Sequence, residues 1–210
     1  MSHRSEPALL ALHGVRVLGA PSVAAVAERF GLDASEVREH LLDAQAYGWV
    51  TRYDFFGETW SITERGRVEN ERQLAAELEL TGSRAVVRAV HAAFLPVNAA
   101  HGRACTQWQL HPTLYDPAAI NDHSDPVWDD AALVDLESCD DALAEFGATL
   151  AGALDRFDGY AQRHAAALAR VRQGRNEWLD APDRASCQLV WTQFHEDLLA
   201  TLGIERGTDG

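Results

Sequence analysis

Only one stretch of this chain reads as β-structure. Trp49-Val50-Thr51-Arg52-Tyr53 and Glu58-Thr59-Trp60-Ser61-Ile62 are short β-rich runs joined by Asp54-Phe55-Phe56-Gly57, which predicts a single hairpin. On both sides of it apolar residues recur at helical spacing. Without an alternation of strands and helices there is no parallel sheet to build, so the 210 residues must fold mostly as packed helices.

The helices before the hairpin are marked by their end signals. Pro7 to Leu18 carries Leu9, Leu10, Leu12, Val15 and Leu18 in register. Pro21-Ser22 offers a cap for a second helix with Val23, Val26, Ala27 and Phe30 inward, stopping at Gly31, a residue suited to a left-handed helix end. Asp33-Ala34-Ser35-Glu36 has the pattern of a capping box and opens a third helix with Val37, Leu41 and Ala44 inward, ending near Gly48. After the hairpin, Thr63-Glu64-Arg65-Gly66-Arg67 caps a fourth helix running toward Leu80.

Beyond residue 83 the pattern is helical with one long interruption. A helix is expected from Ser83 to about Leu110, bent at Pro96. Residues 111–128 lack periodicity and predict a loop, with Asp125-Pro126 as the next helix start. Further helices are expected to about Leu154, from Asp155 to Val171, and from Asp183 to Leu202.

Charge divides the chain. Residues 1–72 hold eight Arg against eleven acids, a net of −3, whereas residues 73–210 hold ten Arg against twenty-one, a net of −11. No Arg falls between Arg103 and Arg156, while eleven acids lie from Asp116 to Asp155. Such asymmetry separates two jobs. The chain contains no Lys at all, which excludes Schiff-base chemistry, the phosphate loop of the Walker type and the Ser-x-x-Lys hydrolases. No Gly-x-Ser-x-Gly or dinucleotide fingerprint occurs, so no catalytic residues are assigned and the chain is not expected to be an enzyme. Cys105, Cys139 and Cys187 are far apart and predict reduced thiols in a cytoplasmic protein. No apolar run approaches the ~18 residues of a membrane span, and the N-terminus is too weak for a signal peptide.

The order helix, helix, tight turn, helix and hairpin resembles the winged helix-turn-helix of bacterial transcription regulators, the MarR-like and PadR-like families among them. The likeness is carried by Ser22 to Phe30, Ser35 to Leu41, Gly48-Trp49-Val50 at the entry to the wing and Ile62-Thr63-Glu64-Arg65-Gly66-Arg67 at its exit. The resemblance implies a DNA-binding domain over residues 1–72 and an acidic all-α bundle over 73–210 that dimerises or binds an effector. It also implies double-stranded DNA and a second copy of the chain as partners. On the third helix, Ser35, Arg38 and Glu39 face away from the core, with Arg38 placed to read guanine and Ser35 to hold a phosphate. Arg52 lies at the wing base, with Arg65 and Arg67 beside the DNA backbone. A small-molecule-binding protein or enzyme working through the Trp and His residues of the acidic half stays open as an alternative. So does a protein-interaction module, favoured by the net charge of −14 and by Glu36, Glu39 and Asp43 on the third helix. Arg38 is followed by a carboxylate at Glu39, and the wing tip Asp54-Phe55-Phe56 carries no Arg. Arg38 itself has a plainer reading, an ion pair with Glu36, Glu39 or Asp43.

The acidic half resembles an uncharacterised actinobacterial type of transcription regulator through Asn121-Asp122-His123, Trp128-Asp129-Asp130, and Trp191 with His195-Glu196-Asp197-Leu198-Leu199. That likeness supplies no ligand. Trp108, His111, Asn121, Asp122, His123, Trp128, Trp191 and His195 are candidates to line an effector pocket, because an indole N–H needs a partner when buried. The same residues would equally serve as bundle core. The surrounding acids suit a cationic effector or a solvated face. His111, Asp122, His123 and Asp125 match no zinc or calcium spacing, so neither a metal nor another cofactor is expected.

Overall fold

A computed structural model describes residues 2–55, 57–205 and 207. The described residues are mostly helical, with one small antiparallel sheet. The order is α1 (Pro7–Leu18), α2 (Val23–Phe30), α3 (Ala34–Ala46), β1 (Val50–Tyr53), β2 (Thr59–Ile62), α4 (Glu64–Thr81), α5 (Arg84–Gln109), α6 (Pro126–Ala151), α7 (Tyr160–Arg172) and α8 (Cys187–Leu202). No single helix among the described residues is long and apolar enough to cross a membrane.

The local signals before residue 82 act as their chemistry requires. Ser22 Oγ accepts from the Ala25 N–H at 3.2 Å, and Gly31 adopts the left-handed conformation that closes α2 on the Ala27 carbonyl. Asp33 Oδ1 accepts from the N–H groups of Ser35 (2.8 Å) and Glu36 (3.2 Å). These three contacts fix the turn between α2 and α3. Val37, Leu41 and Ala44 then join Val15, Val26, Val50 and Trp60 in one apolar core.

The hairpin pairs Val50 with Ile62 and Tyr53 with Thr59. It is pinned at both ends. Trp60 is fully buried and its N–H reaches the Pro21 carbonyl at 3.0 Å. Thr63 caps α4 by accepting from the Gly66 N–H, while its hydroxyl donates to the Gly48 carbonyl at 2.7 Å. Gly66 is required here by space, since a Cβ would sit 2.0 Å from the Trp49 carbonyl oxygen.

Later boundaries depart from the sequence expectation. α6 stops at Ala151 rather than near Leu154, because Ala153 and Asp155 are drawn into backbone bonds with His3. Residues 155–157 form a lone 3-10 turn, and Gly159 at φ 85° delays α7 to Tyr160 instead of Asp155. α8 begins at Cys187 rather than Asp183, after a 3-10 turn at Asn176–Trp178 and with Ser186 Oγ accepting from the Leu189 N–H. The loop runs from residue 110 to 125, and Asp125 Oδ1 caps α6 by accepting from Val127 and Trp128.

The chain divides into two compact units, each made of separated segments. The first comprises Met1–Arg88, Leu150–Phe157 and Gln193–Gly210, and the second Ala89–Thr149 and Asp158–Thr192. The first unit therefore reaches past the boundary at residue 72 drawn from charge and takes in two later pieces of chain.

Candidate functional site

In the first unit, α3 has an open outer face. Ser35, Glu36, Arg38, Glu39, Leu42 and Asp43 are exposed, whereas Val37 and Leu41 are fully buried. Ser35 does not present a free hydroxyl. Its Oγ donates back to Asp33 Oδ1, and this bond, with the two backbone donors, holds the Asp33 carboxyl below its ordinary range. Glu39 faces outward without an ion pair among the described residues.

Arg38 is paired, but not with a neighbour on its own helix. Its Nη1 and Nη2 donate to Glu58 Oε1 and Oε2, each at 2.9 Å, across to the foot of β2. Glu58 Oε1 also accepts from Trp60 Nε1 at 3.2 Å. The Arg38 bonds lower the Glu58 carboxyl and raise the Arg38 guanidinium. Arg52 lies 3.5 Å from Asp54 and Arg67 3.8 Å from Glu196. Arg65 makes no ion pair among the described residues. The outer surface of α3 and the hairpin adds apolar groups, with Tyr47, Tyr53 and Phe55 exposed.

Behind this surface, the first unit has a charged interior that sequence reasoning did not identify. Asp197, fully buried on α8, accepts from His13 Nε2 at 3.0 Å and from Thr201 Oγ1 at 3.2 Å, and pairs with Arg156 Nη1. Arg156 Nε reaches Glu77 Oε2 at 3.1 Å and its Nη2 reaches Thr201 Oγ1 at 2.9 Å. His13 Nδ1 meets Asn70 Oδ1 at 3.2 Å. Burial alone would raise the Asp197 carboxyl, but Arg156, then His13 and Arg29, hold it well below the carboxylate range. Its signal was present: His13 sits inside the apolar run Leu9–Val17, and Asp197 follows Phe194 by one helical step on the inner stripe of α8.

The eight residues proposed for an effector pocket form separate groups. Trp108 is buried and packs on His123, with ring centroids 4.6 Å apart. Asn121 Nδ2 donates to the Trp108 carbonyl at 2.9 Å and to Asp129 Oδ1 at 2.7 Å, and Asp129 Oδ2 pairs with His123 Nδ1 at 3.0 Å. His123 takes φ 58°, an uncommon conformation for a side-chain-bearing residue. His111 instead stacks on Trp128, whose Nε1 donates to the Gln107 and Leu110 carbonyls. Asp122 caps the loop by accepting from the Ser124 N–H. His195 belongs to the first unit, not to this one.

Trp191 occupies a third group, in the core of the second unit. It stacks on Phe94 at 5.2 Å and almost parallel to His101 at 4.1 Å, and its Nε1 donates to Asn98 Oδ1 at 2.9 Å. The His164 ring lies 5.6 Å from His101, with Nδ1 on Asp140 Oδ1 at 2.6 Å. The Nε2 atoms of both buried imidazoles find no hydrogen-bond partner among the described residues. Burial, and then the charge on His164, pushes His101 down to about 3. His101, His164, Asn98 and Asp140 were missed from the sequence, although His101 continues the stripe of Phe94 and Val97 one turn on. Burial raises the three thiols, Cys105 and Cys187 to about 12 and Cys139 to about 11, which makes them poor nucleophiles. An open cleft of about 350 Å³ beside Cys139 is lined also by Pro96, Val97, Arg103 and Asp135, none of them a residue proposed from the sequence.

No protein-family model matches this chain, and no curated protein or solved structure matches it either.

Proposed function

We propose that residues 7–81 act as a winged helix-turn-helix that reads double-stranded DNA, and that the chain is a homodimeric transcription regulator. The observation that supports this most is the setting of α3. Asp33 caps its start, a hairpin pinned by Trp60 and Thr63 follows it, and its whole outer face stays exposed. A capped helix presented on a rigid base beside a hairpin suits insertion into a major groove, with the hairpin reaching the adjacent backbone. In this reading Arg38 contacts a base edge, while Arg52, Arg65 and Arg67 contact phosphates. The second unit would supply dimer contacts or receive an effector, for which its acids from Asp116 to Glu145 favour a cation.

A second reading has its own observation. Arg38, Arg52 and Arg67 all lie against carboxylates of the same chain, and Glu36, Glu39 and Asp43 share the α3 surface with exposed Leu42. That surface would suit a basic, partly apolar protein segment.

Selection of a random duplex library by the full chain at two salt concentrations separates the two. An enriched motif, weakened but not changed by salt, supports DNA reading. Recovery of no motif at either concentration rejects it. Sedimentation equilibrium tests the homodimer, and a single monomeric species at micromolar concentration rejects that part.

A further inference from the structure

We infer that Glu58 is a latch on DNA binding, an internal occupant of the Arg38 fork that a DNA phosphate or base edge must displace. The inference rests on the DNA-reading proposal and assigns a regulatory role to a residue of the same surface.

The geometry is that of an anion site already filled. A guanidinium offers two parallel N–H groups that fit carboxylate and phosphate alike. In Arg38 both are taken, by the two oxygens of one carboxylate at 2.9 Å each. Among Arg38, Arg52, Arg65 and Arg67, only Arg38 is held this way. Arg52 has one contact at 3.5 Å and Arg67 one at 3.8 Å.

Glu58 is itself fixed in position. Its Oε1 accepts from the indole of Trp60, which is fully buried in the core of the first unit. The carboxylate is therefore anchored to the fold, while Arg38 stands on an exposed helix face. Arg38 is also the only Arg or Lys on α3. With it occupied, the surface shows DNA the carboxylates of Glu36, Glu39 and Asp43 and no free cation of that helix.

The consequence is selectivity. Random-sequence DNA offers only phosphate attraction, which must then compete with Glu58 and overcome the repulsion of three more acids. A site that adds base contacts to Arg38 can displace the latch. The pair remains accessible for this exchange, since the Arg38 side chain is 46% exposed and that of Glu58 26%.

The test is Glu58→Gln in the full chain, which keeps an oxygen for Trp60 Nε1 and removes the charge. The probe is a labelled random-sequence duplex of about 30 base pairs, followed by fluorescence anisotropy across a salt titration. Freed Arg38 should tighten binding about tenfold near 0.1 M salt and steepen the log–log salt dependence by about one. The double variant Glu58→Gln with Arg38→Gln should lose that gain, and thermal unfolding followed by circular dichroism should match wild type.

Measurable binding with the same affinity and slope in wild type and Glu58→Gln would overturn the latch and leave DNA reading standing. A gain that persists in the double variant would also overturn it, because the effect would then be bulk charge. Absence of binding in both proteins, together with no motif from the library selection, would overturn the DNA reading and the latch with it.

Discussion

The two units keep their interiors in opposite ways. The first is centred on charge: Asp197, Arg156, Glu77 and His13 are all buried and bonded to one another. The second is centred on stacked rings, Phe94, Trp191 and His101, with two imidazole nitrogens left without hydrogen-bond partners among the described residues. The charged centre joins residues from α1, α4, the 155–157 turn and α8, which lie far apart in sequence. It gives the first unit a geometry in which each partner has one correct place, since a buried ion misplaced from its counter-ion is costly. The ring stack gives the second unit dispersion and shape, and tolerates the unpartnered Nε2 of His101 while that imidazole stays neutral.

The largest consequence is for Asp197. Asp197→Asn leaves Arg156 and His13 facing a neutral group in a dry interior, and should cost about 3–5 kcal/mol in urea unfolding. Replacing the whole charged set, Asp197→Leu with Arg156→Met and Glu77→Leu, should cost less than the single change, because no buried ion is then left without its partner. A loss under ~1 kcal/mol for Asp197→Asn would remove the contrast between the units.

Trp191→Phe tests the other centre. It keeps a ring against His101 but loses the bond to Asn98 and part of the stack, for an expected loss of about 2 kcal/mol. Equal stability would show that the stack is not what holds the second unit.

Acid separates the two centres by pH window. His101 is held near 3 in the fold and would titrate at ~6.5 when unfolded. The unfolded chain therefore binds the extra proton first, and stability falls as pH drops below ~6.5 by up to ~1.4 kcal/mol per unit. Asp197 is depressed, so its contribution is complete above ~3.8 and is lost only as pH falls below that. Denaturant midpoints between pH 7 and 4.5 should fall in wild type and flatten in His101→Gln. An unchanged slope in that variant would deny His101 its neutral burial.

The smallest effect expected is a rate. Cys105, Cys139 and Cys187 are buried with raised thiols, so a thiol reagent at pH 8 should label them only as fast as the chain opens. Prompt labelling of one thiol would place it in an accessible site.

How much of this was legible in the sequence follows from the range of the interactions. The α2–turn–α3 unit and the hairpin were readable because Ser22, Gly31, Asp33 and Thr63 act on backbone groups two to four residues away. The membership of Leu150–Phe157 and Gln193–Gly210 in the first unit was not, because it depends on Asp197 and Arg156 meeting His13 and Glu77 across most of the chain. Arg38 shows the same limit on the surface. Three acids on its own helix were the obvious partners, and the one that holds it is twenty residues away on the far side of a turn. The sequence argument that a buried indole N–H needs a partner did not say which: for Trp128 it is the Gln107 and Leu110 carbonyls and for Trp191 it is Asn98, all supplied by folding.

The most direct test of the DNA reading is to repeat the library selection with Arg38→Ala and compare base-by-base preferences with wild type. If Arg38 reads a base from α3, the motif should persist with one position relaxed by about 1–3 kcal/mol. An identical motif in the two proteins would contradict that role.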